Sequence, residues 1–416
     1  MRLGLIGWPL GHSRSPEIHR HLTGTDYRLI PLKKEELEDF LKEKEFDGLN
    51  VTIPYKQEVI PYLDVLDVSA VKTGAVNTIV NREGKLTGYN TDYIALKEMI
   101  LNAGMDLSDS LTAVLGSGGA SKAASAAVKE LGGTPVIVSR FEKEGTITYE
   151  QLYQKQNEFS WLINTTPVGL SGREDEAPVE IQKFTALNGV IDVIANPLRT
   201  RLMFEAGMHG IKAIGGFEML VRQAFYAEEY FLDRKLDPAL IDACLTKMYS
   251  TDRNLVLIGM PTCGKSTASK MLSEKTGMPL VDMDREIEKK LGTSIKQCFE
   301  EHGEAYFRKL ECETAEEISK TGGHIISCGG GVIKTEETMR HLSRNGLIIW
   351  LKRDLERLYP TPERPLSLTK EALDQLYTER LPLYERYADL AIDNNGEIEK
   401  TADCILVQAA GGKKTI

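Results

Sequence analysis

Short apolar runs recur along this chain, each leading through a glycine-bearing or polar turn into a stretch with apolar residues at helical spacing. That alternation predicts α/β architecture with parallel sheets. Leu3 to Ile6, Tyr27 to Pro31 and Gly48 to Ile53 read as strands, with helices opening at Pro16 and Lys34. A second α/β unit opens on Leu111 to Leu115. Its later strands are Pro135 to Ser139, Trp161 to Asn164 and Val190 to Val193. Helices from about Phe217 to Leu232 and from Pro238 to Met248 close the first half, and Leu255 to Ile258 opens a further unit. Between them lies the short polar stretch Tyr249 to Arg253, where the main domain boundary is placed. No repeat or low-complexity tract interrupts the pattern.

Size and composition narrow the class. A chain of 416 residues exceeds what one core serves, so two or three domains are expected. Hydrophobic content of 42% and charged content of 27% are ordinary for a globular protein. A net charge of −10 speaks against a nucleic-acid partner, which calls for a basic footprint. The six cysteines form no C-x-x-C pair, which fits reduced thiols in a cytoplasmic protein. The apolar run at the N-terminus is too short for a signal peptide, and no stretch nears the ~20 apolar residues of a membrane span. The seven histidines lack metal-ligand spacing, and His19 and His21 are expected on a solvated helix. Oligomeric state is not readable.

Gly259-Met260-Pro261-Thr262-Cys263-Gly264-Lys265-Ser266-Thr267 is a phosphate-binding loop between a strand and the helix from Ser266 to Leu272. Such a turn aims several backbone N–H groups at one spot. Lys265 adds a point charge for the β- and γ-phosphates of ATP, and the Ser266 hydroxyl is placed to hold Mg²⁺. A different phosphate loop has already occurred upstream. Gly116-Ser117-Gly118-Gly119-Ala120-Ser121 follows a strand and precedes the helix Lys122 to Leu131, the setting of a dinucleotide fingerprint whose third glycine is replaced by Ser121. The next strand ends in Ser139-Arg140, with Lys143 nearby. An arginine there suits a 2′-phosphate, so NADP is favoured over NAD. Two nucleotide sites on one polypeptide suggest two enzymes.

Polar clusters gather at other strand ends. Gly11 to Pro16 reads either as a helix cap or as a ligand loop. Asn50-Val51-Thr52-Ile53-Pro54-Tyr55-Lys56 puts Thr52 and Lys56 just past an apolar strand; a lone lysine there is ordinarily solvated. Gly74 to Thr78 and Gly88 to Asp92 add two asparagines and an aspartate that could equally cap the following helix.

Together with Gly116 to Ala120, Asn164 to Gly169 and Gly216 to Gln223, these segments resemble the shikimate dehydrogenase family over about residues 1–248. The resemblance implies that Ser13, Ser15, Thr52, Asn77, Asp92 and Gln223 hold the carboxylate and hydroxyls of the substrate. It makes Lys56 the acid/base, with Asp92 beside it, and adds Val193 and Gly216 to the NADP(H) contacts. It also divides the half into a substrate domain (1–92 and about 228–248) and a Rossmann domain (93–227). The family usually carries a tyrosine where this chain has Ala195, which keeps a broader quinate/shikimate specificity open. A ketone reduced by hydride leaves an alkoxide-like oxygen that needs a proton, and a lysine ammonium can give it. Whether Lys56 alone or the pair with Asp92 titrates stays open.

Beyond the phosphate loop, Asp282 and Asp284 close a short apolar stretch; one carboxylate could reach Mg²⁺ through water, the other a substrate hydroxyl, or either could cap a helix. Arg308 and Glu311, three apart, share a helical face and could form a carboxylate clamp or a surface ion pair. Ser327-Cys328-Gly329-Gly330-Gly331 follows the strand His324 to Ile326, and Arg357, Arg364 and Arg380 are further cations. This set resembles shikimate kinase over about residues 253–410, in a domain spanning 249–416. The resemblance implies that Asp284, Arg308, Gly330 and Arg380 bind shikimate and that Thr262 to Thr267, Arg357 and Arg364 contact ATP. Asp282 and Ser266 then serve the metal. No Asn-Lys-x-Asp guanine motif occurs, which disfavours Ras-like GTPases. A sensor that keeps the folds without catalysis is disfavoured because Lys56, Asp92, Lys265, Asp284 and Arg308 are all present. The expectation is an enzyme of two activities joined by one intermediate, with small-molecule partners only.

Overall fold

The computed structural model describes residues 1–11, 13–360 and 369–410. The chain forms two compact units, Met1–Lys247 and a second from Met248 onward. The polar stretch at 249–253 is no open linker, because the helix Ala239–Asp252 runs through it.

The first unit holds two sheets. In one, β1 (Leu3–Gly7), β2 (Tyr27–Pro31), β3 (Gly48–Val51), β4 (Val65–Leu66), β5 (Thr78–Arg82) and β6 (Lys85–Tyr89) take the order β2-β1-β3-β5-β6-β4. Here the expectation of parallel sheets fails in part: β3–β5 and β5–β6 pair antiparallel. The β5–β6 hairpin turns on Glu83 (φ 53°) and Gly84 (φ 83°), both left-handed, as a two-residue hairpin loop demands. Asn81 Oδ1 accepts from Gly84 N at 2.9 Å and pins the turn. Glu-Gly is a weaker hairpin signal than Asn-Gly, and the sequence pattern passed over it.

The second sheet contains β7 (Leu111–Leu115), β8 (Thr134–Ser139), β9 (Thr146–Thr148), β10 (Phe159–Asn164), β11 (Gly189–Asp192) and β12 (Lys212–Gly215). Every pair is parallel and the order is β12-β11-β10-β7-β8-β9, the doubly wound dinucleotide topology. Its strand order reverses between β7 and β10, which opens a crevice at their carboxyl ends.

The helix Gly216–Leu232 returns to the first sheet, where Ala227 and Phe231 pack with Leu3, Leu5, Tyr27 and Val80. Gly48 is required there: a Cβ on it would sit 2.4 Å from the Phe231 ring. On the same face the solvated-helix expectation for His19 is overturned. His19 is fully buried, stacks on Tyr27 at 3.9 Å and places Nδ1 2.6 Å from Glu228 Oε1. A partner 209 residues away in sequence supplies what the local pattern could not show. His21 on the same helix is half-buried beside Glu17.

The second unit has one parallel sheet of β13 (Asn254–Ile258), β14 (Leu280–Asp282), β15 (Ile325–Ser327), β16 (Gly346–Lys352) and β17 (Leu390–Asp393). Its order, β14-β15-β13-β16-β17, places the end of β13 at a switch point, where the phosphate loop emerges. Among the described residues no helix is long and apolar enough to cross a membrane.

Candidate active sites

A cavity of about 240 Å³ opens in the first unit, and most of the residues singled out for substrate converge on it. Thr52 and Lys56 follow β3, Asn77 precedes β5, and Ser13 and Ser15 come from the turn into the helix Ser15–Thr23. Asp92 and Gln223 reach in from the helices Thr91–Asn102 and Gly216–Leu232. Lys56 Nζ lies 2.5 Å from Asp92 Oδ2, with side chains only 18% and 12% exposed. The lysine is therefore not the solvated kind. Asp92 is not the helix cap either: Asn90 accepts from Tyr93 N at 3.0 Å, which leaves Asp92 in the first turn facing Lys56. Ser13 and Ser15 bond to each other at 3.1 Å, and Ser13 Oγ also accepts from Ser15 N, the first of the helix, at 3.2 Å. Asn77 is locked by the next helix, accepting from Thr91 N at 2.7 Å and donating to Thr91 Oγ1 at 2.9 Å.

Ala120, Val193 and Gly216 line the same cavity, so the glycine loop and the polar pocket meet. A Cβ on Gly119 would stand 3.4 Å from Lys56 Cδ. Gly116 (φ 108°) abuts Thr165, and a side chain on Gly216 would stand 2.1 Å from the Val193 carbonyl oxygen. Ser121 fits the third glycine position because its buried hydroxyl turns back to the Gly118 carbonyl at 2.7 Å. The helix here begins at Gly119, earlier than the pattern predicted, so the N–H groups of the loop open it directly. Ser139 is buried at the end of β8, Arg140 is exposed against Phe141, and Lys143 Nζ donates to Ser117 Oγ at 3.1 Å. These residues do not line the cavity, and of them Lys143 touches the glycine loop. The sequence reading gave Asn50 no role. Buried in β3, it lines the cavity, accepts from Tyr27 Oη at 2.7 Å and donates to Thr78 Oγ1 at 3.0 Å. An asparagine inside an apolar strand was the available signal.

In the second unit Lys265 is buried and folded onto its own loop, Nζ donating to the carbonyls of Gly259 (2.9 Å) and Met260 (3.0 Å). Gly264 (φ 96°) caps the helix Lys265–Thr276, with Ser266 and Thr267 exposed at its first turn. Cys263 is buried and its carbonyl accepts from Asn394 Nδ2 at 2.6 Å. Thr262 holds a left-handed backbone (φ 61°) and bonds to Tyr359 N at 3.2 Å. Asp282 does cap a helix, its Oδ1 accepting from Arg285 N at 3.3 Å.

Arg308 Nη1 donates to Glu311 Oε2 at 2.7 Å, and Glu311 is almost wholly buried, so this is no surface ion pair. Burial pushes the Glu311 carboxyl up against the pull of Arg308 and Arg380, and Asp284 adds to the rise. The glycine run is fitted to these groups. A Cβ on Gly329 would stand 2.7 Å from Asp284 Oδ1, and one on Gly331 2.5 Å from Arg308 Nη2. Arg380, buried on the helix Lys370–Tyr387, donates to the Gly330 carbonyl at 2.9 Å, and Tyr384, given no role from sequence, joins it at 2.6 Å. Arg357 is exposed and donates to the Asn395 carbonyl at 2.5 Å. Arg364 lies outside the described residues.

Compared with known proteins, the chain is 39% identical over 255 residues to shikimate dehydrogenase (NADP(+)) of Clostridium beijerinckii, covering 94% of that protein and 57% of this one. This chain belongs to the shikimate dehydrogenase family. Residues 5–79 match the family model for the shikimate dehydrogenase substrate binding domain, and residues 261–410 match that for shikimate kinase. The enzyme of Halothermothrix orenii is 35% identical over 257 residues, 88% of its length and 54% of this chain. Among solved structures, shikimate dehydrogenase 1 from Peptoclostridium difficile superposes with a TM-score of 0.55 at 32% identity, covering 60% of this chain and 98% of that one. A chorismate mutase/shikimate 5-dehydrogenase fusion from Clostridium acetobutylicum gives 0.55 at 33%, covering 59% and 96%. The Thermus thermophilus enzyme in complex with NADP(H) and shikimate gives 0.54 at 29%, covering 59% and 98%.

One buried acid in the dehydrogenase unit has a consequence for stability. Asp192, fully buried at the end of β11, accepts from Thr200 Oγ1 (2.7 Å), Ile194 N (3.1 Å) and Asn164 Nδ2 (3.1 Å). Burial outweighs these neutral donors and pushes its carboxyl up to about 6. The folded state thus keeps a proton that the unfolded chain releases near ~4. Stability from this group is full below that lower value and is lost as pH rises through about 6. The loss is about 3 kcal/mol at the ~1.4 kcal/mol of each pH unit. Asp192→Asn should flatten that slope: the gap in unfolding midpoint between variant and wild type moves in the variant's favour between pH 4 and 7. Parallel profiles would reject the assignment.

Proposed function

We propose that this bifunctional shikimate-pathway enzyme reduces 3-dehydroshikimate to shikimate with NADPH and then phosphorylates the 3-hydroxyl of shikimate with ATP. The observation that carries the first step is the Lys56–Asp92 pair, 2.5 Å apart inside a polar cavity that the glycine loop also borders. When bound, NADPH supplies the hydride and ATP the transferred phosphoryl group. Gly116, Ser117, Gly118, Gly119 and Ala120 fit the dinucleotide: a Cβ on Gly118 would touch nothing within 4 Å, so the cradle is open. Ser13, Ser15, Thr52, Asn77 and Gln223 offer hydroxyl and amide groups for a carboxylate and ring hydroxyls. Lys56 Nζ delivers a proton to the carbonyl oxygen as hydride reaches the carbon, and Asp92 holds that ammonium in place.

In the second unit Arg308, fixed by Glu311, presents a planar fork to the substrate carboxylate, and Arg380 stands beside it on Gly330. Asp284 orients the attacking hydroxyl and takes up its proton as the O–P bond forms. The Gly264-capped loop with Lys265, Ser266 and Thr267 fits a triphosphate, and Ser266 with Asp282 supplies hard oxygen donors suited to Mg²⁺.

A second reading, a broader quinate/shikimate dehydrogenase joined to the kinase, is favoured by Ala195, whose methyl lines the cavity where the family usually has a tyrosine hydroxyl. The test is a one-pot reaction of 3-dehydroshikimate, NADPH and ATP, following NADPH loss and ADP gain. Equal yields of both are expected, with shikimate 3-phosphate as product. Absence of either signal from folded protein removes the corresponding half of the proposal. Comparing kcat/KM for shikimate and quinate, with NADP and with NAD, decides between the two specificities.

A further inference from the structure

Arg353 directly follows β16, and its guanidinium reaches the phosphate loop. Nη1 lies 3.6 Å from the point a side chain on Gly264 would occupy. The Asn394 amide stands 2.6 Å from that same point but is already committed, to the Cys263 carbonyl at 2.6 Å and Thr401 Oγ1 at 2.8 Å. Arg353 is partly buried, and among the described residues its solvent-shielded Nε has no hydrogen-bond partner and its guanidinium no ion pair. Neighbouring cations differ: Arg357 is tied to Asn395, and Lys352 is exposed over the Trp350 ring at 5.1 Å.

A guanidinium that gives up water without gaining an acceptor is costly, and an anion placed against it offsets that cost. The group beside this one is a glycine-capped helix start of the kind that binds phosphate. We propose that Arg353 is a nucleotide-binding residue of the kinase unit, its planar fork completing the phosphate loop by bonding the phosphate chain of ATP. This inference rests on the kinase assignment above. The unmatched donor asks for an oxygen acceptor, which the phosphate chain has in excess. Arginine suits such oxygens in pairs, whereas lysine offers only a point charge.

The test is calorimetric titration of the full-length protein and of Arg353→Ala and Arg353→Lys with ATP, tripolyphosphate and adenosine. Loss of one charge-assisted contact raises Kd for ATP and for tripolyphosphate alike by roughly 10–100-fold in Arg353→Ala. Adenosine, shikimate and NADP affinities should not move, and Arg353→Lys should recover part of the loss. Reductase activity and the unfolding midpoint report that each variant is folded. If the wild type binds ATP and Arg353→Ala binds it equally, the inference is overturned while the kinase assignment stands. A loss confined to ATP, with tripolyphosphate unchanged, also overturns the phosphate contact. A folded wild type that binds no ATP overturns the kinase assignment itself.

Discussion

Lys56→Ala should lower the rate of 3-dehydroshikimate reduction by ~10²–10⁴ in kcat, the usual worth of a positioned acid/base, and leave shikimate phosphorylation at the wild-type rate. The ammonium proposed as the proton donor is held by a 2.5 Å contact between Lys56 Nζ and Asp92 Oδ2, both side chains largely buried in the wall of the cavity. Water could replace the proton but not its placement. Asn77 and Ser13 do not depend on Lys56: Asn77 is held by Thr91, and Ser13 by Ser15. KM for 3-dehydroshikimate should therefore change far less than kcat, since a group acting mainly in the transition state was removed. Asp92→Asn separates the two roles proposed for the carboxylate. If Asp92 only orients the ammonium and binds a ring hydroxyl, the asparagine keeps the pH profile and raises KM. If the pair titrates together, the pH–rate profile moves. Lys56→Ala retaining more than ~10% of kcat would sink the acid/base role, and loss of phosphorylation in folded protein would sink the independence of the sites.

The sequence exposed both nucleotide loops because their chemistry is local. Gly116 and Gly264 need left-handed backbone, at φ 108° and 96°, and a glycine at a strand-to-helix turn announces that need within a few residues. Lys56, Asp92, Asn77 and Gln223 were different. Each was individually unremarkable, and only their joint order along the chain, matched to a family, marked them as one pocket. What stayed hidden depends on partners far away in sequence. His19 looked solvated because Glu228 and Tyr27 are invisible to a helical pattern, and Asn50 had no role because Tyr27 and Thr78 come beside it only in the fold. Arg353 was hidden for the same reason: its distinction is a buried Nε without a partner among the described residues, a property that exists only once the chain has folded. Asp282 shows the converse, a residue with a plausible chemical role that also performs the plain structural one of capping its helix.

Lys265→Ala should abolish the second activity and spare the first. Nζ is held by the carbonyls of Gly259 and Met260, at 2.9 and 3.0 Å, with the side chain buried. Carbonyls are weaker partners for an ammonium than phosphate oxygens, so under the proposed kinase reading Lys265 would hold the triphosphate and stabilise the charge that builds on the transferring group. Removing a single donor to developing charge typically costs ~10²–10³ in kcat, and Lys265 carries a full charge, so the upper end or beyond is expected. Arginine should not rescue it. The pocket that holds Nζ between two carbonyls fits a compact ammonium, and a planar fork cannot enter without moving the loop. Because Lys265→Ala also deletes the hydrogen bonds that Nζ makes to the loop carbonyls of Gly259 and Met260, loss of activity alone would leave a collapsed loop as an explanation. Shikimate affinity separates the cases. Arg308 bonds to Glu311 and Arg380 to the Gly330 carbonyl, neither through Lys265, so shikimate should bind the variant as it binds the wild type, at normal reductase activity. A variant that still phosphorylates within ~10-fold of wild type would show that the loop amides and Arg353 suffice, and the place of Lys265 in the mechanism would fall.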